Sequence, residues 1–315
     1  MALPRRTLAL ALPRVHAYCV PMDWTAQTPF SDPGRHASLF DGVPADPLAA
    51  SAIARNLVAH YAAERDALPP ETRSDINLRW VEAQLDTDQL RHPDPLATPR
   101  PLAGRLQGCC RDHTLLAVSM LRHDGREARS RVGFSRYFTP GYWHDHVVVE
   151  VREDGRWRRF DPEMIEADAQ FADMSDGVDG PLISASRMWR EIRGGRIDPA
   201  NVGVFPGSPI GGEWFVQGYV LLELAHRFGD ELLLWDGFGD MADPSGPTEA
   251  QIALADEIAA LLVDADDHPS DAREAALEAR YRSDPRLHPG DTIECITPDD
   301  EHFVVDLATR RVTPR

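Results

Sequence analysis

Gly108-Cys109-Cys110-Arg111-Asp112-His113 is the stretch whose reading decides the fold. Two later runs complete it, His146-Val147-Val148-Val149-Glu150-Val151 and Trp157-Arg158-Arg159-Phe160-Asp161-Pro162. From Cys110, apolar residues recur at Leu115, Leu116, Val118 and Leu121, a helical spacing that Asp124-Gly125 closes. The two later runs read as strands, and Asp154-Gly155 between them is a hairpin signal. The histidine and aspartate strands are therefore expected to be antiparallel neighbours. A cysteine at a helix N-terminus faces unpaired N–H groups and the positive end of the helix dipole, both of which favour thiolate. With His146 and Asp161 brought beside it, Cys110 would complete a thiolate–imidazole–carboxylate triad.

These runs resemble the transglutaminase-like superfamily of cysteine enzymes, in its bacterial form. Gly108-Cys109-Cys110 matches the family's G-x-C at a helix start, His146 to Val151 its histidine strand, and Trp157 to Pro162 its W-x-x-x-D-P strand end. The resemblance covers roughly residues 105 to 163. It implies an α+β, papain-like core in which a cysteine-bearing helix packs on an antiparallel sheet, with Cys110, His146 and Asp161 as the catalytic residues. It departs at Val148, where the family often carries an aromatic that walls the substrate side.

Neighbouring residues compete for these roles. Cys109 lies about 100° around the helix from Cys110, and the leucine stripe together with the G-x-C spacing selects Cys110. His144 shares a strand face with His146; it is read as a neighbour of the site, as is Cys109. His144, His146 and Asp161 also allow a zinc or iron reading, but the triad needs no ion, and no metal or cofactor is expected. The backbone N–H of Cys110 is one oxyanion donor. Gln107 and Trp80 are the candidates for the second: the amide is close in sequence, and the family's animal members use an upstream tryptophan. Arg129, Arg131 and Arg136 could meet an acidic substrate or pair with the many carboxylates. Asp112 is read as serving the helix N-terminus.

Composition sets the frame. The 315 residues carry 51 acidic against 33 basic side chains, a formal charge of −18. A field of that sign repels nucleic acid and anionic lipid, so neither is an expected partner. All 33 basic residues are arginine, so the chain cannot crosslink itself through lysine. Four cysteines, Cys19, Cys109, Cys110 and Cys295, show no disulfide framework, and a cytoplasmic location is expected. The apolar run Thr7 to Leu12 ends at Pro13 and is read as an exposed tail or first strand, not a signal peptide.

Along the chain, three parts are expected: an N-terminal segment 1–45, a catalytic core 46–240, and C-terminal helices with a closing hairpin over 241–315. Helices are expected at 46–66, with Leu57, Val58 and Tyr61 on the buried face, and at 76–90, 110–123, 184–192, 212–228, 249–263 and 272–281. Strands are expected at 128–134, 145–152, 156–160, 292–297 and 302–307. The expected chemistry is attack of Cys110 on an amide of a peptide, protein or small molecule, with the thioester opened by water; an amine acyltransferase and a non-catalytic or metal-dependent protein are the alternatives. The sequence leaves the oligomeric state open.

Overall fold

The computed structural model describes residues 22–44, 46–164, 174 and 176–315; Cys19 and the N-terminal apolar run lie outside them. In chain order the elements are α1 (Pro47–Leu57), β1 (Val58–His60), α2 (Val81–Arg91), β2 (Leu106–Gly108) and α3 (Cys110–His123), then β3 (Ala128–Ser135), β4 (Trp143–Glu153), β5 (Arg156–Phe160), β6 (Leu182–Ser184) and α4 (Ala185–Arg193). There follow β7 (Val202–Gly203), α5 (Glu213–Arg227), β8 (Asp236–Gly237), α6 (Glu249–Asp267), α7 (Asp271–Ser283), β9 (Thr292–Ile296), β10 (His302–Asp306) and β11 (Arg311–Pro314). The fold is α+β. No helix among the described residues is long and apolar enough to cross a membrane.

The central sheet runs β5-β4-β3-β6 antiparallel, with β7 added parallel to the start of β4. The β4–β5 hairpin forms as its turn residues require. Asp154 and Gly155 both take positive φ, 50° and 78°, and Glu153 pairs with Arg156. Helix α3 packs against β3 and β4. The sequence reading gave α3 one apolar stripe, but every residue from Cys110 to Arg122 is buried. Its polar positions are satisfied inside the core: the Arg122 guanidinium donates to Glu231 Oε1, Ser31 Oγ and Ala128 O, and Thr114 Oγ1 donates to Val147 O.

The first expected helix differs. It starts at Pro47, capped by the Asp46 carboxylate as expected, but ends at Leu57 rather than near residue 66. Val58–His60 instead forms a strand parallel to Leu106–Gly108, with His60 opposite Gly108. The Tyr61 N–H then donates to Gly108 O at 2.8 Å. This places Tyr61 beside the cysteine motif instead of on a helix face. The second helix also starts late, at Val81, behind a 3-10 turn over Pro70–Asn77.

The C-terminal elements pack on this core. Helix α6 lies against α4 and α5, and the second sheet, β11-β10-β9-β8, joins the closing hairpin to Asp236–Gly237.

Candidate active site

The glycine of the cysteine motif is there for space. A Cβ at Gly108 would stand 2.8 Å from both Asp112 Oδ2 and Val58 Cγ1. Next to it, the Asp112 carboxylate accepts the Cys109 N–H at 2.9 Å and bonds Gln84 Nε2 and Arg111 Nη1 through its other oxygen. Asp112 thus caps α3 and takes no place in the cavity. Cys110 follows as the first residue of the helix, where its N–H has no intrahelical acceptor.

The β4–β5 hairpin brings His146 and Asp161 together: His146 Nε2 lies 2.6 Å from Asp161 Oδ2. The same oxygen accepts the Tyr137 hydroxyl, and Oδ1 accepts the Glu163 N–H at 2.8 Å. Asp161 is therefore fully hydrogen-bonded and held in one orientation. It occupies Nε2 of His146 and leaves Nδ1 as the nitrogen that can serve a thiol. Phe138 meets the imidazole edge-on, with centroids 5.1 Å apart. Cys109, Cys110 and His146 all line one cavity of about 970 Å³.

The electrostatics run partly against the sequence reading. The His146 imidazole is raised: burial opposes its charge, but the Asp161 carboxylate outweighs burial. The Cys110 thiol is also raised, well above its ordinary value. Its hydrogen bond to Cys109 is the largest cause, burial follows, and the charges of Cys109, Glu163 and Asp145 add to it. Both shifts favour the protonated forms, the thiol of Cys110 and the imidazolium of His146.

The remaining expected site residues fall in different places. Cys109 is buried at the cavity. His144 also lines it, with Nδ1 held by Val204 O at 2.9 Å and Nε2 buried without a hydrogen-bond partner among the described residues. Gln107 is not free to stabilise an oxyanion, because its amide donates to Pro69 O at 2.7 Å and Thr72 Oγ1 at 2.9 Å. Trp80 is a core residue ahead of α2, with the Arg310 guanidinium over its ring, and is not among the cavity's lining. Val148 is fully buried in a small cluster with Met174 and Leu182, so it does not replace a wall of the cavity.

The arginines near the motif are structural. Arg129 and Arg131 are buried on Glu150, and Arg131 also bonds Glu223 and Asp266. Arg136 donates to the carbonyls of Val178 and Asp179. As for metals, His146, Asp161 and Glu163 are the set among the described residues whose ligand atoms lie within 4.8 Å of one another; His144 does not join them. An ion there would have to displace the His146–Asp161 hydrogen bond.

Residues 59–162 match the family model of the transglutaminase-like superfamily. That stretch is similar to a transglutaminase-like core. The match begins at Ala59 in β1, well upstream of the cysteine motif, and ends at Pro162 beside Asp161. No curated protein and no solved structure matches the chain.

Around this cavity, sequence reasoning overlooked His113 and Glu163. The two nitrogens of His113 face carbonyl oxygens of Cys109, at 3.0 Å, and Val58, at 3.2 Å. Both must then carry protons, and Glu163 Oε1, 2.9 Å from Nδ1, balances the charge. That contact is an ion pair, and Glu163 Oε1 is buried with no hydrogen-bond partner among the described residues. His113 accordingly titrates above its ordinary value, with burial opposing and Glu163 prevailing; the Glu163 carboxyl is held down at about 2, where His113 outweighs burial. Glu163 lies in the turn after β5, where no strand periodicity marks it.

Proposed function

We propose that the protein is a cysteine-dependent acyl-transfer enzyme that hydrolyses an amide through a thioester on Cys110. The observation that carries this reading is the 2.6 Å bond from His146 Nε2 to Asp161, in the same cavity as a thiol at the start of α3. With Nε2 held, His146 Nδ1 takes the Cys110 proton and the sulfur attacks the carbonyl carbon. The tetrahedral species collapses as the C–N bond breaks and the imidazolium protonates the leaving amine. Water then opens the thioester, giving its proton to His146, and the thiol is restored.

Water is the favoured acceptor because the cavity mouth is lined by exposed residues, among them Ala62, Ala63, Arg65 and Asp300. A second reading, transfer to an amine, has one observation in its favour. Phe138, Phe215, Tyr219 and Trp235 give the cavity aromatic walls that could deliver a neutral amine.

The test is acylation by p-nitrophenyl acetate, followed as nitrophenolate release. Cys110→Ala is expected to abolish it, and Asp161→Asn to slow it by orders of magnitude. Because the His146 imidazole is held above its ordinary value of 6.5 and must be neutral to take the Cys110 proton, the rate is expected to climb with pH through a value above 6.5. Undiminished acylation in Cys110→Ala sinks the reading. Adding a primary amine to the thioester separates the acceptors: amide as the main product at low millimolar amine, an order of magnitude taken from ordinary enzyme affinities, would establish the amine reading.

A further inference from the structure

Attack on a carbonyl places negative charge on its oxygen, and a cysteine site needs preorganised donors there. The Cys110 N–H supplies one. Gln107 and Trp80 do not supply the second, since one amide is spent on Pro69 and Thr72 and the other side chain lies in the core.

From the geometry we infer that the Tyr61 hydroxyl is the second oxyanion donor. This rests on the cysteine acyl-transfer reading and adds a catalytic residue to it. Tyr61 follows β1, and its N–H bonds Gly108 O at 2.8 Å, two residues before Cys110. Its ring lines the cavity that holds Cys110, and its hydroxyl has no hydrogen-bond partner among the described residues.

The ring is also held still. His60 stacks on it with centroids 5.4 Å apart and planes 12° from parallel. The Arg73 guanidinium stands 4.4 Å from the ring centroid, and Trp235 meets it edge-on at 6.0 Å. A donor fixed before the reaction costs no reorganisation when charge develops. The phenol also stays protonated: burial raises it, and the nearby Cys109, Asp145 and Cys110 oppose a second negative charge. It therefore donates a hydrogen bond throughout and transfers no proton. When the Cys110 sulfur bonds the carbonyl carbon, the C=O π pair moves to oxygen and is received by Tyr61 O–H and the Cys110 N–H. When the pair returns, the leaving group departs with the proton from His146.

Tyr61→Phe removes the one oxygen and keeps the ring with its three contacts. Two reactions of Cys110 then separate the roles. Acylation by p-nitrophenyl acetate passes through an oxyanion, whereas alkylation by iodoacetamide, read by mass, does not. The expected result is acylation slowed on the order of a hundredfold with alkylation unchanged. Unchanged acylation overturns the inference, and so does an equal fall in both rates, which would make the hydroxyl a structural group. Cys110→Ala in parallel keeps the two ideas apart. If acylation survives loss of Cys110, the acyl-transfer reading itself fails; if it is lost there but intact in Tyr61→Phe, only the oxyanion assignment fails.

Discussion

The vicinal thiols set how reactive this site is at rest. Cys110 is held protonated chiefly by its hydrogen bond to Cys109, with burial and the Glu163 and Asp145 carboxylates behind it. Removing Cys109 takes away the largest of these causes and leaves the others. Cys109→Ala is therefore expected to move the pH midpoint of Cys110 alkylation by iodoacetamide downwards, towards the ordinary thiol value. The sign follows from the direction of the shift: a thiol held above its ordinary value gains thiolate at a given pH when the cause is removed. A midpoint that stays put or rises would show that the Cys109–Cys110 bond does not govern the thiol. Local motifs carried the placement of Cys110 at the start of a helix, His146 within a strand and Asp161 just after the next strand. They carried nothing about the charge around them. The half-buried setting of Asp145 and the approach of Glu163 to His113 are consequences of packing, and neither leaves a mark in local spacing.

At the scale of elements, the legible parts are those that local chemistry specifies. The β4–β5 hairpin follows from Asp154-Gly155 and alternation, and α3 from its leucines and the Asp124-Gly125 close. The strand Val58–His60 was not legible, because its partner Leu106–Gly108 is distant in sequence and its apolar residues continue the helical spacing of α1. That one misread element hid Tyr61. The arginines of β3 illustrate the same limit. Arg131 reaches across to Glu223 on α5 and Asp266 on α6, and Arg227 on α5 shares Asp266. Asp266 holds two buried guanidinium groups at once, which keeps its carboxyl far below the usual range against the cost of burial. Asp266→Ala would leave both cations short of a partner. A loss of about 3–5 kcal/mol is expected, as for other broken buried ion pairs. Urea unfolding measures it, and a loss below about 1 kcal/mol, the range of exposed pairs, would mean that the network does not bind α6 to the sheet.

For the whole molecule, the C-terminal hairpin is part of the site's outer wall. Ile296, Thr297, Pro298 and Asp300 line the cavity together with Trp235, which precedes β8. Between β9 and β10, Asp299 takes the Arg73 guanidinium in two hydrogen bonds, at 2.6 and 3.0 Å, and Arg73 in turn covers the Tyr61 ring. A chain of three side chains thus runs from residue 299 to the donor inferred for the oxyanion. The expected division at residue 240 cuts this chain, so we propose that 241–315 serves the site as well as the fold. The Arg73–Asp299 pair is partly exposed, and such pairs contribute little to stability. Asp299→Ala is therefore expected to leave the thermal midpoint nearly unchanged while freeing Arg73 and loosening the Tyr61 ring. Acylation by p-nitrophenyl acetate should fall, less than in Tyr61→Phe because the hydroxyl is still present, and alkylation of Cys110 should be unaffected. In Tyr61→Phe the hydroxyl that Asp299 helps to hold is absent, so adding Asp299→Ala to that variant should cost nothing further. An additive loss in the double variant would place Asp299's effect elsewhere in the cavity, and would detach the C-terminal hairpin from the oxyanion site.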